Sequence, residues 1–425
     1  MTQLQSARTG AITDHMRGVC AAEGLDAEQL RQRVADGLVV VPANAGRPNV
    51  RPVGIGQGLR TKVNANIGTS PDAGSIDGEL EKLRRAVEAG ADAVMDLSTG
   101  GDLDAVRAAV VEHCPVPLGT VPIYQAAIEA GGPTELTADG YLKVFERHAA
   151  DGVDFATVHA GVTREAMPLV EQRLMGAVSR GGVFLLRWMA AHGCESFLYE
   201  HFDDVLAIAR EHDVTISLGD GLRPGCIEDA TDAAQLHELS VLGELTERCR
   251  EAGVQVMVEG PGHVPLDQIE RNVRLAKERC GGAPFYVLGP LPTDVAPGHD
   301  HVVAAIGGAV AGAHGADFLC YVTPKEHVGL PGPEDVAQGV ATARIAAHVA
   351  DVAKGVRGAR EWDSAMARAR AARDWGAMTE LALSPEQFSR MLADESKEDR
   401  CSMCGEFCAI KLYRDVLGAG SDHEG

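Results

Sequence analysis

One theme repeated through the middle of the chain limits its possible folds more than any other feature. A short apolar run ends in polar or glycine-rich residues, and a helix-patterned stretch follows. The runs are KVNANIG (62–68), ADAVMDLS (91–98), VPLGTVPIY (116–124), DFATVHAG (154–161), VTISLGDG (214–221), VQVMVEGPG (254–262), PFYVLGPLP (284–292) and ADFLCYVTP (316–324). Between them lie stretches such as DGELEKLRRAVEAG and DLDAVRAAVVEHC, with apolar residues three and four apart. Eight such units are the count of an α/β fold of the (β/α)₈ TIM-barrel type. A doubly wound open sheet is the rival, because strand periodicity alone does not close a barrel. The expected organisation is a small N-terminal helical arm over residues 1–55, the barrel over 56–355, and a helical tail over 356–425. The connection between the fourth and fifth strands is long, with two extra helical stretches expected near 163–176 and 182–192 around the loop AVSRGG.

In a barrel, the C-terminal ends of the strands face the active site. Those ends carry Asn64, Asn66, Met95, Asp96, Tyr124, His159, Asp220, Glu259, His263, Tyr286 and, in the following loop, His327. A single polar residue there is often structural, but a polar group at the end of strand after strand points to an enzyme. His263 in EGPGHVP and His327 in PKEHVG are imidazole donors that suit zinc or ferrous iron, with water or substrate completing the shell. Glu259 precedes His263 by four, but Pro261 and Gly262 between them exclude a helical HExxH site. His299 and His301 in GHDH are the competing pair. In SLGDGLRPG, the backbone N–H groups of Gly221 and Leu222, with Arg223, are candidates for holding a phosphate. Ser179, Arg180 and Gly181 form a second such cluster. GIGQGL (54–59) precedes a strand instead of following one, so it is no dinucleotide fingerprint.

Near the C-terminus, CSMCGEFC places Cys401, Cys404 and Cys408 two and three residues apart. A closed structural zinc site takes four protein ligands, and no fourth cysteine or histidine follows at matching spacing. Three thiolates suit a [4Fe–4S] cluster whose fourth iron stays free for another ligand. A zinc knuckle completed by a distant histidine, or thiols with no ligand role, are the plainer readings. The other seven cysteines are scattered without pattern. The N-terminus has no apolar secretion segment and no run of eighteen apolar residues occurs, so the cytoplasm is the expected location. A net charge of −22 argues against nucleic acid as a partner. The Arg/Ala run of the tail reads as a solvated helix face.

The strings KVNANIGTS, DLSTGGDL, GTVPIYQA, VSRGG, SLGDGLRPG, EGPGHVP, LGPLPTD and CSMCG closely resemble the phosphomethylpyrimidine synthases of thiamine biosynthesis, over about residues 2 to 415. The resemblance implies a radical S-adenosylmethionine lyase that rearranges 5-aminoimidazole ribonucleotide into 4-amino-5-hydroxymethyl-2-methylpyrimidine phosphate, releasing formate and carbon monoxide. It also implies a homodimer whose cluster tail reaches over a partner's active site, with an electron donor such as flavodoxin or ferredoxin. Carried onto this chain, the family's substrate contacts fall on Asn66, Met95, Tyr124, His159, Ser179, Arg180, Gly181, Asp220, Gly221, Leu222, Arg223, Glu259 and Tyr286. Its cluster ligands fall on Cys401, Cys404 and Cys408, with S-adenosylmethionine at the open iron, and its further divalent metal, zinc or iron, falls on His263 and His327. Glu259 and His159 are the expected proton-transfer groups.

Two features depart from the long members of that family. Three residues, GEF, separate Cys404 from Cys408 instead of four, and their large N-terminal domain has no counterpart here. Both resemble a shorter subgroup that includes paralogues making 5-hydroxybenzimidazole from the same substrate and cofactors, and the two products are not separated by sequence. A zinc-dependent barrel hydrolase using His263 and His327 is a second class of reading. A non-enzymatic iron–sulfur carrier or sensor is a third, and it leaves the polar strand ends without a purpose.

Overall fold

In the computed structural model, eight parallel strands pair in sequence order and close on themselves. They are β1 (Lys62–Ile67), β2 (Ala93–Asp96), β3 (Leu118–Thr120), β4 (Phe155–Val158), β5 (Thr215–Leu218), β6 (Val256–Gly260), β7 (Phe285–Leu288) and β8 (Phe318–Cys320). The last strand pairs with β7 on one side and β1 on the other, so the open sheet, which needs two edges, is excluded. The structure describes residues 1–394, 403–404 and 407–418. The chain divides into two units, Met1–Val356 and Arg357–Gly425.

A repeated device fixes the strand register at the N-terminal face. Asp92, Asp154 and Asp317 stand just before β2, β4 and β8, in the strings GADAVM, GVDFAT and GADFLC. Each carboxylate accepts a backbone N–H from the neighbouring strand: Val63 at 2.9 Å, Leu118 at 2.8 Å and Phe285 at 2.9 Å. Each also pairs with a cation: Arg60, Arg47 and Lys277 respectively. A buried carboxylate is tolerated only when paired and hydrogen-bonded, and all three meet both conditions.

The N-terminal segment seals this same face. Three helices, Gln3–Arg8, Asp14–Glu23 and Ala27–Ala35, start at Thr2, Thr13 and Asp26, whose side chains accept otherwise orphaned N–H groups. They share a small apolar cluster with Met16, Val19, Leu30 and Val34 at its centre. A short antiparallel ribbon, Val39–Val40 with Ile55–Gly56, follows. Thr2 donates to the Gly253 carbonyl (2.6 Å), and the Gln3 and Asn44 N–H groups donate to Asp213 (3.0 Å) and Asp154 (2.9 Å). Those partners all precede strands, so the arm closes the bottom and leaves the C-terminal mouth for chemistry.

Two details differ from the sequence reading. The third strand ends at Thr120 because Pro122 has no N–H for a ladder and is preset for the first turn of a helix, Pro122–Ala130. Tyr124 therefore rides that helix instead of ending the strand. The expected helix over 163–176 is only a 3₁₀ turn, Arg164–Ala166, and one turn, Met167–Val170. Beyond it, tertiary partners claim the chain: Arg173 pairs with Asp232 at 2.7 Å, and the N–H groups of Leu174 and Met175 donate to Asp229. The second expected helix is present as Arg180–His192.

The second unit contains helices Ala359–Ala372, Trp375–Leu381, Pro385–Asp394 and Ala409–Gly418. Arg360, Arg368 and Arg370 are exposed, which is the solvated face that the Arg/Ala run implied. Among the described residues no helix is long and apolar enough to cross a membrane.

Candidate active site at the barrel mouth

Strand register brings the candidate residues together. Asn66 lies beside Met95 and Glu259 beside Tyr286 as direct neighbours across the sheet. A cavity of about 80 Å³ is lined by Asn66, Met95, Tyr124, His159, Asp220, Arg223, Glu259 and Tyr286, all anticipated from sequence. Of the remaining strand-end residues, Asp96 turns away and accepts from Ser98 Oγ, beside a separate pocket with Arg107 and His148.

Within the cavity the polar groups form two chains. Glu259 Oε1 accepts from Thr157 Oγ1 and Ser217 Oγ, both at 2.7 Å. Burial raises the Glu259 pKa, and these two hydroxyls oppose that rise. On the other wall, Asn64 Nδ2 donates to the Tyr286 hydroxyl and to Asn66 Oδ1, both at 2.8 Å, and Asn66 Nδ2 lies 3.2 Å from Cys320 Sγ. Thr157, Ser217 and Cys320 were missed in the sequence reading. The signal was available, since Thr157 is two residues before His159 and strand side chains alternate with period two.

His159 is 2% exposed and, among the described residues, its Nδ1 has no hydrogen-bond partner. Burial, helped by Arg223, lowers its pKa to about 3, so the ring is a neutral imidazole at ordinary pH. Asp220 pairs with Arg223 (3.1 Å), yet burial still lifts its carboxyl to about 7. Facing them, Ser179 caps the helix that begins at Arg180, and the Arg180 guanidinium lies 4.8 Å from the Tyr124 ring centroid. The backbone at Gly181 runs against His159, where a Cβ would stand 2.4 Å from the ring. Gly182 touches Gly221, and a Cβ on it would meet the Gly221 carbonyl oxygen at 2.0 Å.

This packing corrects one expectation. The Leu222 N–H, assigned above to an anion, is donated to Glu238 Oε2 at 2.9 Å. Anion donors remain in the Arg223 side chain, in Arg180 and at the N-terminus of the helix that Ser179 caps.

The two metal-candidate histidines also meet. The rings of His263 and His327 have centroids 5.4 Å apart. His263 Nδ1 lies 2.7 Å from Asp294 and His327 Nδ1 2.9 Å from Asp300, and among the described residues nothing hydrogen-bonds Nε2 of either ring. Carboxylate-oriented imidazoles of this kind suit a divalent ion. Among the described residues no group of three or more His, Cys, Asp and Glu gathers as a metal site, so a two-imidazole site relies on other ligands. In the competing pair, His301 is buried with its Nε2 3.1 Å from Gln338 Nε2, and His299 begins the helix Asp300–Ala313.

Of the cysteine motif, Cys401 lies outside the described residues, Cys404 is exposed and Cys408 is half-exposed. Cys408 immediately precedes the helix Ala409–Gly418, and its thiol pKa is lowered first by the Lys411 backbone N–H, with Ile410 also contributing. A thiolate-favouring cysteine fits an iron–sulfur ligand.

A closed parallel barrel with carboxylates, a neutral imidazole and guanidinium groups at its C-terminal mouth has the layout of a barrel enzyme. The chain belongs to the radical SAM ThiC family, whose pattern matches residues 2–415. It is 55% identical to the phosphomethylpyrimidine synthase of Desulforamulus reducens, covering 98% of this chain and 99% of that protein. Against the protein of the same name from Desulforudis audaxviator the identity is 58%, with the same coverage. Among solved structures, a dihydropteroate synthase from Coxiella burnetii aligns at 13% identity with a TM-score of 0.42, over 72% of this chain and 97% of that one.

Proposed function

We propose that this chain is a phosphomethylpyrimidine synthase, converting 5-aminoimidazole ribonucleotide to 4-amino-5-hydroxymethyl-2-methylpyrimidine phosphate with release of formate and carbon monoxide. The observation that carries the reading is the single cavity shared by eight residues of the family's substrate set, in a chain that matches relatives of that name from end to end. When bound, a [4Fe–4S] cluster and S-adenosylmethionine supply reductive cleavage of the sulfonium and thus a radical able to abstract hydrogen. Cys401, Cys404 and Cys408 are the proposed cluster ligands, and His263 and His327 the proposed ligands of one divalent ion.

The remaining work belongs to the barrel. Arg223, Arg180 and the helix N-terminus hold the ribotide phosphate at one side of the mouth. Tyr286, Asn66 and Met95 line the opposite wall, where the base is held. Glu259, steadied by Thr157 and Ser217, takes and returns protons as the ring is rebuilt. His159, neutral by burial, serves as a hydrogen-bonding partner for the substrate, and its low basicity makes Glu259 the better proton acceptor. We also propose a cytoplasmic homodimer reduced by flavodoxin or ferredoxin.

Mass spectrometry of the product formed from 5-aminoimidazole ribonucleotide by the reconstituted, reduced protein tests the reaction. The pyrimidine phosphate is expected, 5-hydroxybenzimidazole would assign the paralogous activity, and a colourless, iron-free protein with full hydrolytic activity would overturn both. For the clamp, Arg223→Gln is expected to weaken ribotide binding about tenfold to a hundredfold relative to the riboside, the range for a charged hydrogen bond to phosphate. Equal losses for both ligands would remove Arg223 from the phosphate site.

A further inference from the structure

Behind the Asp220–Arg223 turn lies a second, smaller chamber of about 20 Å³, which shares Asp220, Arg223, Glu259 and Gly260 with the cavity at the mouth. It is bounded by the helices Ala233–Glu251 and Leu266–Arg279, and Asp220, Glu238, Gln235 and Asn272 line it. Gln235 and Asn272 satisfy one another across it at 2.6 Å. Glu238 does not fit that tidy pattern. It is 2% exposed, its Oε2 takes the Leu222 N–H, and among the described residues its Oε1 has no hydrogen-bond partner. Asp220, on the same chamber, has an unpartnered Oδ2. Burial, reinforced by Asp220, raises the Glu238 pKa well above the usual carboxylate range.

Burying a carboxyl costs stability even where water reaches one of its oxygens. The compensating contact is the one to the turn. The backbone of segment 219–223 is tied down at four points: Gly219 N–H to the Val158 carbonyl, Arg223 N–H to the Asp220 carbonyl, Leu222 N–H to Glu238, and the Arg223 carbonyl to the Arg173 guanidinium at 3.5 Å. The last two come from outside the strands; Arg173 holds Arg223 itself by its carbonyl, and Glu238 holds the N–H of the residue before it. A Cβ on Gly221 would meet Val162 Cγ2 at 2.2 Å and Glu238 Oε1 at 3.3 Å, so both side chains back the glycine that Gly182 packs against, Val162 the more closely.

We propose that Glu238 is a positioning residue for substrate phosphate: by accepting the Leu222 N–H it sets the direction in which Arg223 and the Gly221–Gly182 contact present the anion site. It touches no reacting atom. This role rests on the phosphate clamp proposed above. It also gives the chamber a purpose, since room beside Glu238 lets water satisfy its second oxygen.

The test uses the full-length protein with the ribotide and its dephosphorylated riboside as probes. Glu238→Leu is expected to weaken ribotide binding tenfold or more with riboside affinity unchanged, and to raise KM far more than it lowers kcat. Glu238→Gln keeps a carbonyl oxygen for the Leu222 N–H and is expected to stay within about threefold of the parent on both ligands. If Glu238→Leu does not fold, Glu238→Ala is read instead, because the chamber admits water to the vacated space. A Leu or Ala variant with lowered thermal stability but parental ribotide affinity, or a Gln variant as weak as Leu, overturns the positioning role. Should Arg223→Gln discriminate ribotide from riboside while Glu238→Leu does not, the clamp stands and only this role falls. If neither discriminates, the clamp itself is wrong.

Discussion

Gly182→Ala is the most demanding test of how the two halves of the mouth fit together. Gly182 sits in the first turn of the helix Arg180–His192, at an ordinary helical position. In open space, alanine there stabilises a helix by roughly 0.5–1 kcal/mol. Here the new Cβ falls 2.0 Å from the Gly221 carbonyl oxygen and 2.6 Å from its carbon. An unstrained carbon–oxygen contact needs roughly 3.3 Å, so the two backbones must part by about 1 Å. Neither is a flexible side-chain end, and overpacking of this kind costs about 1–3 kcal/mol. The clash therefore outweighs the propensity gain. Parting the helix N-terminus from the 220–223 turn also removes at least one aligned donor from the phosphate, about 1.5–3 kcal/mol, or roughly tenfold to more than a hundredfold in affinity. Calorimetric titration with ribotide and riboside, beside a thermal unfolding curve, reads both effects. A lower Tm and a loss confined to the ribotide are expected. An alanine variant as stable as the parent that binds ribotide equally well would refute the backbone contact.

Three further outcomes are expected. Alanine at Cys401, Cys404 or Cys408 should abolish cluster absorbance and 5′-deoxyadenosine formation while leaving the far-UV circular dichroism of the barrel intact; any variant that still cleaves S-adenosylmethionine removes that cysteine from the ligand set. His263→Ala or His327→Ala should each lose one equivalent of divalent metal by elemental analysis after mild chelation, with cluster absorbance spared, and Asp294→Leu should weaken retention of the ion; metal loss that follows His299 and His301 instead would move the site. His159 has a folded pKa near 3, below the unfolded value of about 6.5, so its contribution to stability is whole above pH 6.5 and declines as pH falls towards 3. The unfolding free energy of the parent, from urea titrations, should therefore drop faster between pH 6.5 and 4.5 than that of His159→Gln, by about 1.4 kcal/mol per pH unit, and coincident slopes would show that the imidazole is not held neutral.

The barrel was legible because strand and helix periods differ and alternate eight times, and because glycine and polar residues punctuate each strand end. The site followed from the same reading: Asn66, His159, Glu259 and Tyr286 are inward residues at strand ends, and closure brings them together. What escaped depends on partners remote in sequence. Pro122 was visible, but its effect on Tyr124 required choosing helix over strand within one apolar run. The stretch 163–176 has a helical pattern that Asp229 and Asp232 override by capturing its N–H groups and Arg173. The direction of the Leu222 N–H depends on Glu238, sixteen residues away on an outer helix. Asp294, in a loop, and Asp300, at the start of a helix, orient the histidines from positions that no spacing rule connects to them.

The aspartates beneath β2, β4 and β8 bear on how this scaffold tolerates remodelling. A strand rises about 3.3 Å per residue, so Asp154 anchors its strand roughly 16 Å below His159 on the same strand. A slip of one residue would turn every inward side chain outward, and the hydrogen bonds from Val63, Leu118 and Phe285 act as index marks against it. Because those marks lie at the sealed end, rim loops can be lengthened, shortened or exchanged without disturbing the count. Asparagine at one of the three keeps the volume and loses the charge that holds Arg60, Arg47 or Lys277, and its damage should surface at the far end as a misaligned cavity in a chain that still folds.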